Sequence, residues 1–250
     1  MTDMVHAVNI IVIGYTVSEK MKQIESNCVN SVVANTEYPY HLTYYNNYKS
    51  GYSLTNVWNK FIRASKHKYI CLLNSDTVVY PGWLTKLVET LDSDNTVGFV
   101  GPSTNNCHGS QRNVPSLEAA SQLPCNSVRV SNVPLCGFCL LFEKQTFMNL
   151  GGFDERFKLY GQESDLLKRA QEKGYRFAWR QDAFVYHIGE ATMKAAKVDI
   201  KSERAVARAM YNSKHGRTVH RRPAKPKEVK RKIKTVVIPP ISSNVLRKYK

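Results

Sequence analysis

Two polar residues that end apolar runs of the sequence have the chemistry of metal ligands. Asp76 closes the triplet Asn74-Ser75-Asp76 after the run YICLL, and His187 ends the run AFVYH. A carboxylate can hold a divalent cation that neutralises a diphosphate, and an imidazole can complete such a site. Each residue also has a plainer interpretation, because polar residues after a strand are more often a turn or a helix cap, and a histidine there is more often structural.

A pair of acids lies where a helix is expected to begin. Glu163 and Asp165 precede Leu166, Leu167 and Ala170, which have helical spacing. Acids in a first turn complement the helix dipole without any catalytic role. A carboxylate beside a cleft also accepts a proton from an attacking hydroxyl. The pair therefore supplies a candidate general base.

The elements that must position these residues alternate along the chain. Strands are expected over 8–15, 40–47, 69–73, 97–102 and 135–142, and helices over 17–34, 53–65, 81–91 and 164–176. This βαβ spacing predicts an α/β fold with a Rossmann-like, mostly parallel central sheet flanked by helices. Ligands bind such sheets at the carboxyl ends of the strands, and Asp76 stands at one of these ends.

Two further segments have a different character. Residues 103–133 are polar and hold two prolines, and a connection this long is usually a functional loop or lid. A basic helix is expected from about 200 to 213, with an extended or disordered tail beyond it. The sequence therefore predicts a main domain over 1–200 and a basic extension over 201–250.

Positive charge is concentrated in that extension. The formal net charge is +16, and residues 201–250 hold 16 of the 36 Lys and Arg but only two acids, Glu203 and Glu228. This asymmetry favours a polyanionic partner, meaning nucleic acid or an anionic surface, although a tail that only aids solubility is the plainer alternative. The candidate nucleic-acid contacts are Arg221, Arg222, Lys225, Lys227, Lys230, Arg231, Lys232 and Lys234.

Cysteine usage and the start of the sequence favour a cytoplasmic protein, in the host cytoplasm if the protein is viral. The six cysteines are spread along the chain without the dense spacing of a disulfide framework. The first apolar run is too short to span a bilayer and has no basic leader. Cys136 and Cys139 form a C-x-x-C pair, but no second pair completes a zinc site, so buried thiols are expected.

In their order along the chain, these motifs resemble glycosyltransferase family 2, whose inverting enzymes have the GT-A fold. The resemblance rests on the opening strand, the NSD triplet, GGFDERF, the acidic helix start with GYR after it, and the strand ending in His187. It covers about residues 8 to 190. It implies transfer of a sugar from a nucleotide sugar, most simply a UDP-sugar, with Mn²⁺ or Mg²⁺.

The resemblance also implies roles for individual residues. Asp76 matches the aspartate that reaches the donor diphosphate through the metal, and His187 matches the histidine that completes the metal site. Glu163 falls at the position of the catalytic base, and Asp165 is the runner-up. The remaining candidates are Gly14, Asn46, Asn47, Asn74 and Ser75 on the donor side, and Gly137, Gly152, Phe153 and Asp154 on the acceptor side.

Three positions depart from the family pattern. Glu163 replaces the usual aspartate and lengthens the candidate base by one methylene, and the other two departures lie on the donor side. Asn74 replaces the usual first aspartate of the triplet and lowers the local charge. The second strand ends in Asn46 and Asn47 where the family has an acid that contacts the nucleotide base, so a neutral amide is expected to hydrogen-bond the base.

The basic tail favours DNA as the acceptor, because phosphate contacts hold DNA without reading its sequence. The acceptor hypothesis is a hydroxymethylated pyrimidine of the kind found in bacteriophage DNA, presented from the major groove or on a flipped base. One alternative is a transferase for glycan or lipid-linked acceptors whose tail docks on an anionic membrane. Another is a non-catalytic nucleic-acid-binding protein on the same fold. The sequence leaves the oligomeric state open.

Overall fold

The computed structural model describes residues 6–216. The strands are β1 (Val8–Gly14), β2 (Tyr40–Asn46), β3 (Tyr69–Asn74), β4 (Thr77–Val79), β5 (Val97–Ser103), β6 (Val128–Ser131), β7 (Cys139–Glu143) and β8 (Arg176–His187). The helices are α1 (Glu19–Asn35), α2 (Leu54–Ala64), α3 (Trp83–Asp92), α4 (Leu117–Ser121), α5 (Lys144–Asn149), α6 (Gln162–Glu172), α7 (Ala191–Ala195) and α8 (Ile200–His215).

The sheet has the strand order β2-β1-β3-β7-β5-β8-β4, with β6 also paired to β8. β1 is parallel to β2 and β3, and β5 is parallel to β8. β7 runs antiparallel to both of its neighbours, and β4 and β6 run antiparallel to β8. The α/β fold class with a central sheet flanked by helices is confirmed. The sheet is mixed because β7 enters between β3 and β5 from a long connection rather than from a helical crossover.

Both faces of the sheet are covered, which explains the continuous apolar run of β1. Val8, Ile10 and Val12 pack in one core cluster with residues of α1 and α3. Ile11 and Ile13 point the other way, into a second cluster built with α2, α5 and α6. Because successive side chains of a strand alternate between faces, both faces of β1 are buried, and its one polar side chain, Asn9, accepts a hydrogen bond from the hydroxyl of Thr43.

Several elements differ from the sequence prediction. The 103–133 segment is not a plain loop, since it contains a 3₁₀ turn, α4 and β6, and β6 extends the sheet on β8. α3 begins after the short strand β4, which the sequence did not reveal. β7 begins at Cys139, while residues 135–138 form a turn beside the ligand cavity described below.

A buried ion network lies where the pairing of β8 changes from β5 to β4. The register of β8 against β5 shifts between Arg180 and Phe184, after which β8 pairs with β4. Buried Arg180 donates hydrogen bonds to Asp182, to Asn126 and to the hydroxyl of Thr90. These partners compensate the cost of burying the guanidinium. After this change of partner, His187 pairs with Thr77 at the start of β4.

Within residues 6–216, none of the helices is both long enough and apolar enough to cross a lipid bilayer.

Candidate active site

A cavity of about 980 Å³ opens where β1 and β3 end. Its wall also includes the turn before β7, the start of α6, the end of β8 and the first turns of α8. Of the residues predicted from the sequence, those that line it are Gly14, Asn47, Asn74, Ser75, Asp76, Gly137, Phe153, Glu163 and His187. Candidates from separate parts of the chain therefore meet at one place, at the strand ends where such folds bind ligands.

Asp76 and His187 contact each other directly. The Nε2 of His187 lies 3.3 Å from Oδ1 of Asp76, and the N–H of Ala191 donates to Oδ2 of Asp76 at 3.2 Å. Burial raises the pKa of Asp76, but the hydrogen bond and charge of His187, with the Ala191 N–H, outweigh it and hold that pKa below its usual value. Burial lowers the pKa of His187, and Asp76 more than reverses this.

The orientation of the His187 ring is set by its other nitrogen. Nδ1 lies 2.8 Å from the carbonyl oxygen of Asn106, to which it donates, so Nε2 is directed at Asp76. The side chain of Asn105 accepts from the N–H of His187 and donates to its carbonyl oxygen, and the ring of Phe138 stacks on the imidazole. Sequence reasoning missed these supporting residues, which lie in the 103–133 segment and in the turn before β7.

One carboxylate and one imidazole nitrogen fit a divalent cation such as Mn²⁺. The Nε2 of His187 and the Oδ1 of Asp76 face each other at 3.3 Å, so both atoms are directed at the same point of the cavity wall. Among residues 6–216, no three His, Cys, Asp or Glu side chains come together as a metal-binding group. A cation held by Asp76 and His187 would therefore depend on oxygens from its ligand or from water.

Glu163 is placed in the cavity by the start of α6. Gly161 caps that helix in the left-handed conformation, with φ of +87°, which glycine adopts without strain. The Oε2 of Glu163 is buried and accepts no hydrogen bond from the described residues. Burial raises the pKa of Glu163, because the carboxylate loses water and gains no cation in exchange.

Gly137 leaves the space that Glu163 occupies. A Cβ atom built on Gly137 would lie 2.8 Å from Cγ of Glu163, closer than side chains tolerate.

We expect Gly137→Ala to displace Glu163 and lower kcat by about 10-fold to 100-fold, with unchanged affinity for the donor nucleotide. Steady-state kinetics and nucleotide titration check this. Gly98→Ala is the control, because its Cβ would meet Tyr175 at 2.9 Å outside the cavity.

Three buried side-chain oxygens without a hydrogen-bond partner cluster on one segment of the cavity wall. They are the hydroxyl of Tyr160, Oε1 of Gln162 and Oε2 of Glu163. Buried polar atoms of folded proteins are nearly always paired, so this cluster points to a ligand that supplies hydrogen-bond donors. Of these three residues, the sequence analysis named Glu163 as a candidate.

Asp165 does not line the cavity. Its carboxylate is fully buried and contacts Arg169 at 2.8 Å, Lys214 Nζ at 2.6 Å and His215 Nε2 at 2.7 Å. Burial raises the pKa of Asp165, but hydrogen bonds from Lys214 and His215 and the charge of Arg169 lower it below its usual value overall. This placement does not support Asp165 as the base. It attaches the end of α8 to α6 instead.

Two of the predicted acceptor-side residues also lie away from the cavity. Asp154 contacts Lys214 at 2.7 Å and Arg156 at 2.6 Å, and the hydrogen bonds from Arg156 hold its pKa far below the usual range. Gly152, with φ of +80°, lies against the side chain of Asn59. Of the GGFD segment, Phe153 is the residue that lines the cavity.

The amides expected to contact the nucleotide base are used within the protein. The Oδ1 of Asn46 accepts from the N–H groups of Thr16 and Tyr48, and Asn46 does not line the cavity. Asn47 donates to the carbonyl of Tyr52 and accepts from Ser50. These hydrogen bonds shape the loop after β2. Of the two amides, Asn47 lines the cavity, and its role as a base contact stays a prediction.

A side chain at Gly14 would collide with neighbouring side chains. A Cβ there would lie 2.6 Å from the hydroxyl of Tyr44 and 3.0 Å from Cδ of Glu25. Buried Glu25 accepts from the N–H of Tyr15, the hydroxyl of Thr16 and the hydroxyl of Tyr44, and so holds the loop after β1 beside the cavity. Glu25 belongs to a helix face that the sequence alone did not mark as functional.

The cysteine pair is divided between two environments. Cys139 is buried in the core, as expected, whereas Cys136 lines the cavity. Both thiols are free, as are Cys28, Cys71, Cys107 and Cys125.

The basic helix expected from 200 is confirmed as α8. Glu203 and Arg204 line the cavity, so α8 contributes to the site instead of standing apart from it. The candidate nucleic-acid contacts from Arg221 to Lys234 lie outside the described residues.

Residues 7–209 match the family model described as glycosyltransferase like family 2. The chain belongs to this family. The match confirms the resemblance drawn from the motif order and makes the chain a glycosyltransferase domain. It extends past the expected domain boundary at residue 200 into α8.

The transferase is similar to one characterised protein in sequence and to one solved structure in fold. It is 25% identical over 171 residues to the chondroitin synthase of Escherichia coli, an alignment covering 55% of this chain and 25% of that protein. Its fold is similar to the crystal structure of GalNAc-T7 with UDP, GalNAc and Mn²⁺, with a TM-score of 0.57 and 12% identity over 74% of this chain and 44% of that one. The transferase therefore spans less than half the length of either relative.

Proposed function

We propose that this protein is a metal-dependent, inverting glycosyltransferase that moves a sugar from a UDP-sugar to a hydroxyl group. The observation that carries the proposal is the buried Oε2 of Glu163, which has no hydrogen-bond partner among the described residues and shares one cavity with the Asp76–His187 pair. The cavity therefore holds both a candidate base and a candidate cation site. The family match and the fold of a neighbour solved with UDP and Mn²⁺ support the same donor chemistry.

Glu163 is suited to take the acceptor proton. Its raised pKa makes the carboxylate a stronger base than a glutamate in water, and its free oxygen can accept a hydrogen bond from the incoming hydroxyl. The acceptor oxygen bonds to C1 of the sugar as its proton passes to Glu163. The bond between C1 and the diphosphate breaks, and its electron pair leaves with UDP. Attack from the face opposite the diphosphate inverts the anomeric centre.

Asp76 and His187 are the residues that would hold the cation. A bound cation would neutralise charge on the departing diphosphate. Asn106 fixes the tautomer of His187 so that Nε2, and not Nδ1, faces the carboxylate. Asn74, in place of a second acid, leaves Asp76 as the single carboxylate of the triplet.

The acceptor that we propose is a hydroxymethylated pyrimidine in DNA. The support is the charge of residues 201–250, which suits a polyanion. Exposed Lys201 and Arg208 on α8 continue this charge next to the cavity-lining part of the same helix. A glycan acceptor is the second candidate, and the likeness to chondroitin synthase favours it.

Release of UDP from a panel of UDP-sugars, with Mn²⁺, tests the proposal. The acceptors compared are none, plain DNA, hydroxymethylated DNA and a set of oligosaccharides. We expect stimulation by hydroxymethylated DNA above plain DNA. Stimulation by oligosaccharides alone would replace the DNA acceptor with a glycan. DNA binding without turnover of any donor would contradict an enzymatic role and favour a nucleic-acid-binding protein.

A further inference from the structure

Arg204 lies in the first turns of α8 and faces the segment that follows His187. Its guanidinium lies 2.5 Å from Oε1 of Glu190 and 5.2 Å from the centre of the Tyr160 ring, over that ring. Glu190 precedes Ala191, whose N–H binds Asp76. The ion pair therefore connects α8 to the segment that carries the candidate metal ligands.

The lining of the cavity is short of positive charge for its proposed ligand. Among the described lining residues, Lys158 and Arg204 are the two permanent cations, against the four acids Asp76, Glu163, Glu190 and Glu203. A UDP-sugar brings a diphosphate whose negative charge increases when UDP leaves. A cation at Asp76 offsets part of this charge, and a guanidinium is the side chain best suited to bind phosphate oxygens in pairs.

The partners of Arg204 permit it to change position. Glu190 has a second cation, Lys194, whose Nζ lies 3.8 Å from Oε2, so departure of Arg204 does not leave Glu190 without a counter-charge. The aromatic face of Tyr160 supports the guanidinium and leaves its N–H edge available. The Arg204 side chain is 43% exposed, so no core packing fixes it.

The backbone of Glu190 adds an independent observation. Glu190 has a φ of +58°, a left-handed conformation that non-glycine residues seldom adopt and that costs on the order of 1 kcal/mol or more. The strain directs the Glu190 carboxylate and the Ala191 N–H to their partners at the same time. Strained residues of this kind cluster at functional sites.

We propose that Arg204 is a catalytic residue that exchanges Glu190 for the diphosphate of the donor and stabilises UDP as it leaves. This role rests on the proposed function, because it requires a nucleotide diphosphate in the cavity. As the C1–oxygen bond breaks and its electron pair moves to the β-phosphate, Arg204 meets the developing negative charge. Glu190 competes with the diphosphate for Arg204 in the free protein and remains paired with Lys194 afterwards.

This role predicts that substitutions of Arg204 and of Glu190 change the affinity for UDP in opposite directions. The full-length protein is titrated with UDP and with uridine in the presence of Mn²⁺, by calorimetry for UDP and by ligand-observed NMR for uridine. We expect Arg204→Gln to weaken UDP binding by about 10-fold to 100-fold and to leave uridine binding unchanged. Glu190→Gln should strengthen UDP binding, and its effect should disappear in the double variant. Arg129→Gln, at an exposed position of β6 outside the cavity lining, is the control.

A purely structural clamp between α8 and α7 gives a different pattern. Arg204→Gln and Glu190→Gln would then both weaken UDP and uridine together, and this result would overturn the proposal. Unchanged UDP affinity in Arg204→Gln would also overturn it, while leaving the proposed donor intact. A wild-type protein that binds no UDP would overturn the donor assignment and the Arg204 role together.

Discussion

Glu163→Gln is expected to abolish sugar transfer while leaving UDP binding intact. Glutamine fills nearly the same volume but cannot take the acceptor proton, and loss of a general base costs about 100-fold to 10,000-fold in rate. The substitution should not disturb the surrounding structure, because Oε2 of Glu163 has no hydrogen-bond partner among the described residues that would lose its contact. The measurement is kcat with a saturating acceptor, beside the dissociation constant for UDP.

The pH dependence of sugar transfer by the wild-type protein also tests the role of Glu163. Because burial raises the pKa of Glu163, transfer should fall as the pH is lowered through this raised value, where the carboxylate becomes protonated and cannot act as a base. Glu172→Gln on the same helix, where Glu172 forms an exposed pair with Lys168, is the control and should keep wild-type activity. Substantial transfer by Glu163→Gln at neutral pH would contradict the assignment of the base.

Asp76→Asn is expected to remove the stimulation of UDP binding and of transfer by Mn²⁺. The amide keeps the shape of the carboxylate but loses its charge, and it leaves His187 as the single strong ligand of the proposed cation. Loss of a catalytic metal costs several kcal/mol, so the expected fall in kcat is on the order of 100-fold to 1,000-fold. Metal titration in the presence of UDP, followed by rate measurement, checks this.

The fold should survive that substitution. Oδ2 of Asp76 accepts from the Ala191 N–H, and the amide oxygen of asparagine can keep this hydrogen bond. Asp94→Asn, at an exposed site near Arg176, controls for the loss of one negative charge. Equal stimulation by Mn²⁺ in wild type and Asp76→Asn would place the cation elsewhere.

Much of the sheet could be predicted because its strands are buried on both faces. The mainly apolar, β-branched and aliphatic runs of β1 and β3 are typical of buried strands, and the strand-end rule then located Asp76 at the cavity. The direction of β7 could not be predicted, since an apolar run looks the same whether its strand is parallel or antiparallel. β4 is three residues long and gives no periodic signal.

Helix geometry alone could have predicted that Glu163 and Asp165 point in different directions. Residues two apart on a helix point about 200° apart around its axis, so one first-turn acid facing a cavity directs the other away from it. Asp165 instead meets Lys214 and His215, about fifty residues later in the sequence. The contact of Asp165 with His215, and the shorter-range contact of Arg204 with Glu190, depend on tertiary packing that no local sequence pattern records.

The central claim, a donor site organised by Asp76 and His187, is tested most directly by a crystal structure of the full chain with UDP and Mn²⁺. An anomalous difference map locates the manganese without assumptions about the ligands. We expect one strong peak within coordination distance of the Asp76 carboxylate, of Nε2 of His187 and of the UDP diphosphate. UDP bound in the cavity with no manganese beside Asp76, or manganese bound at another site, would contradict the account.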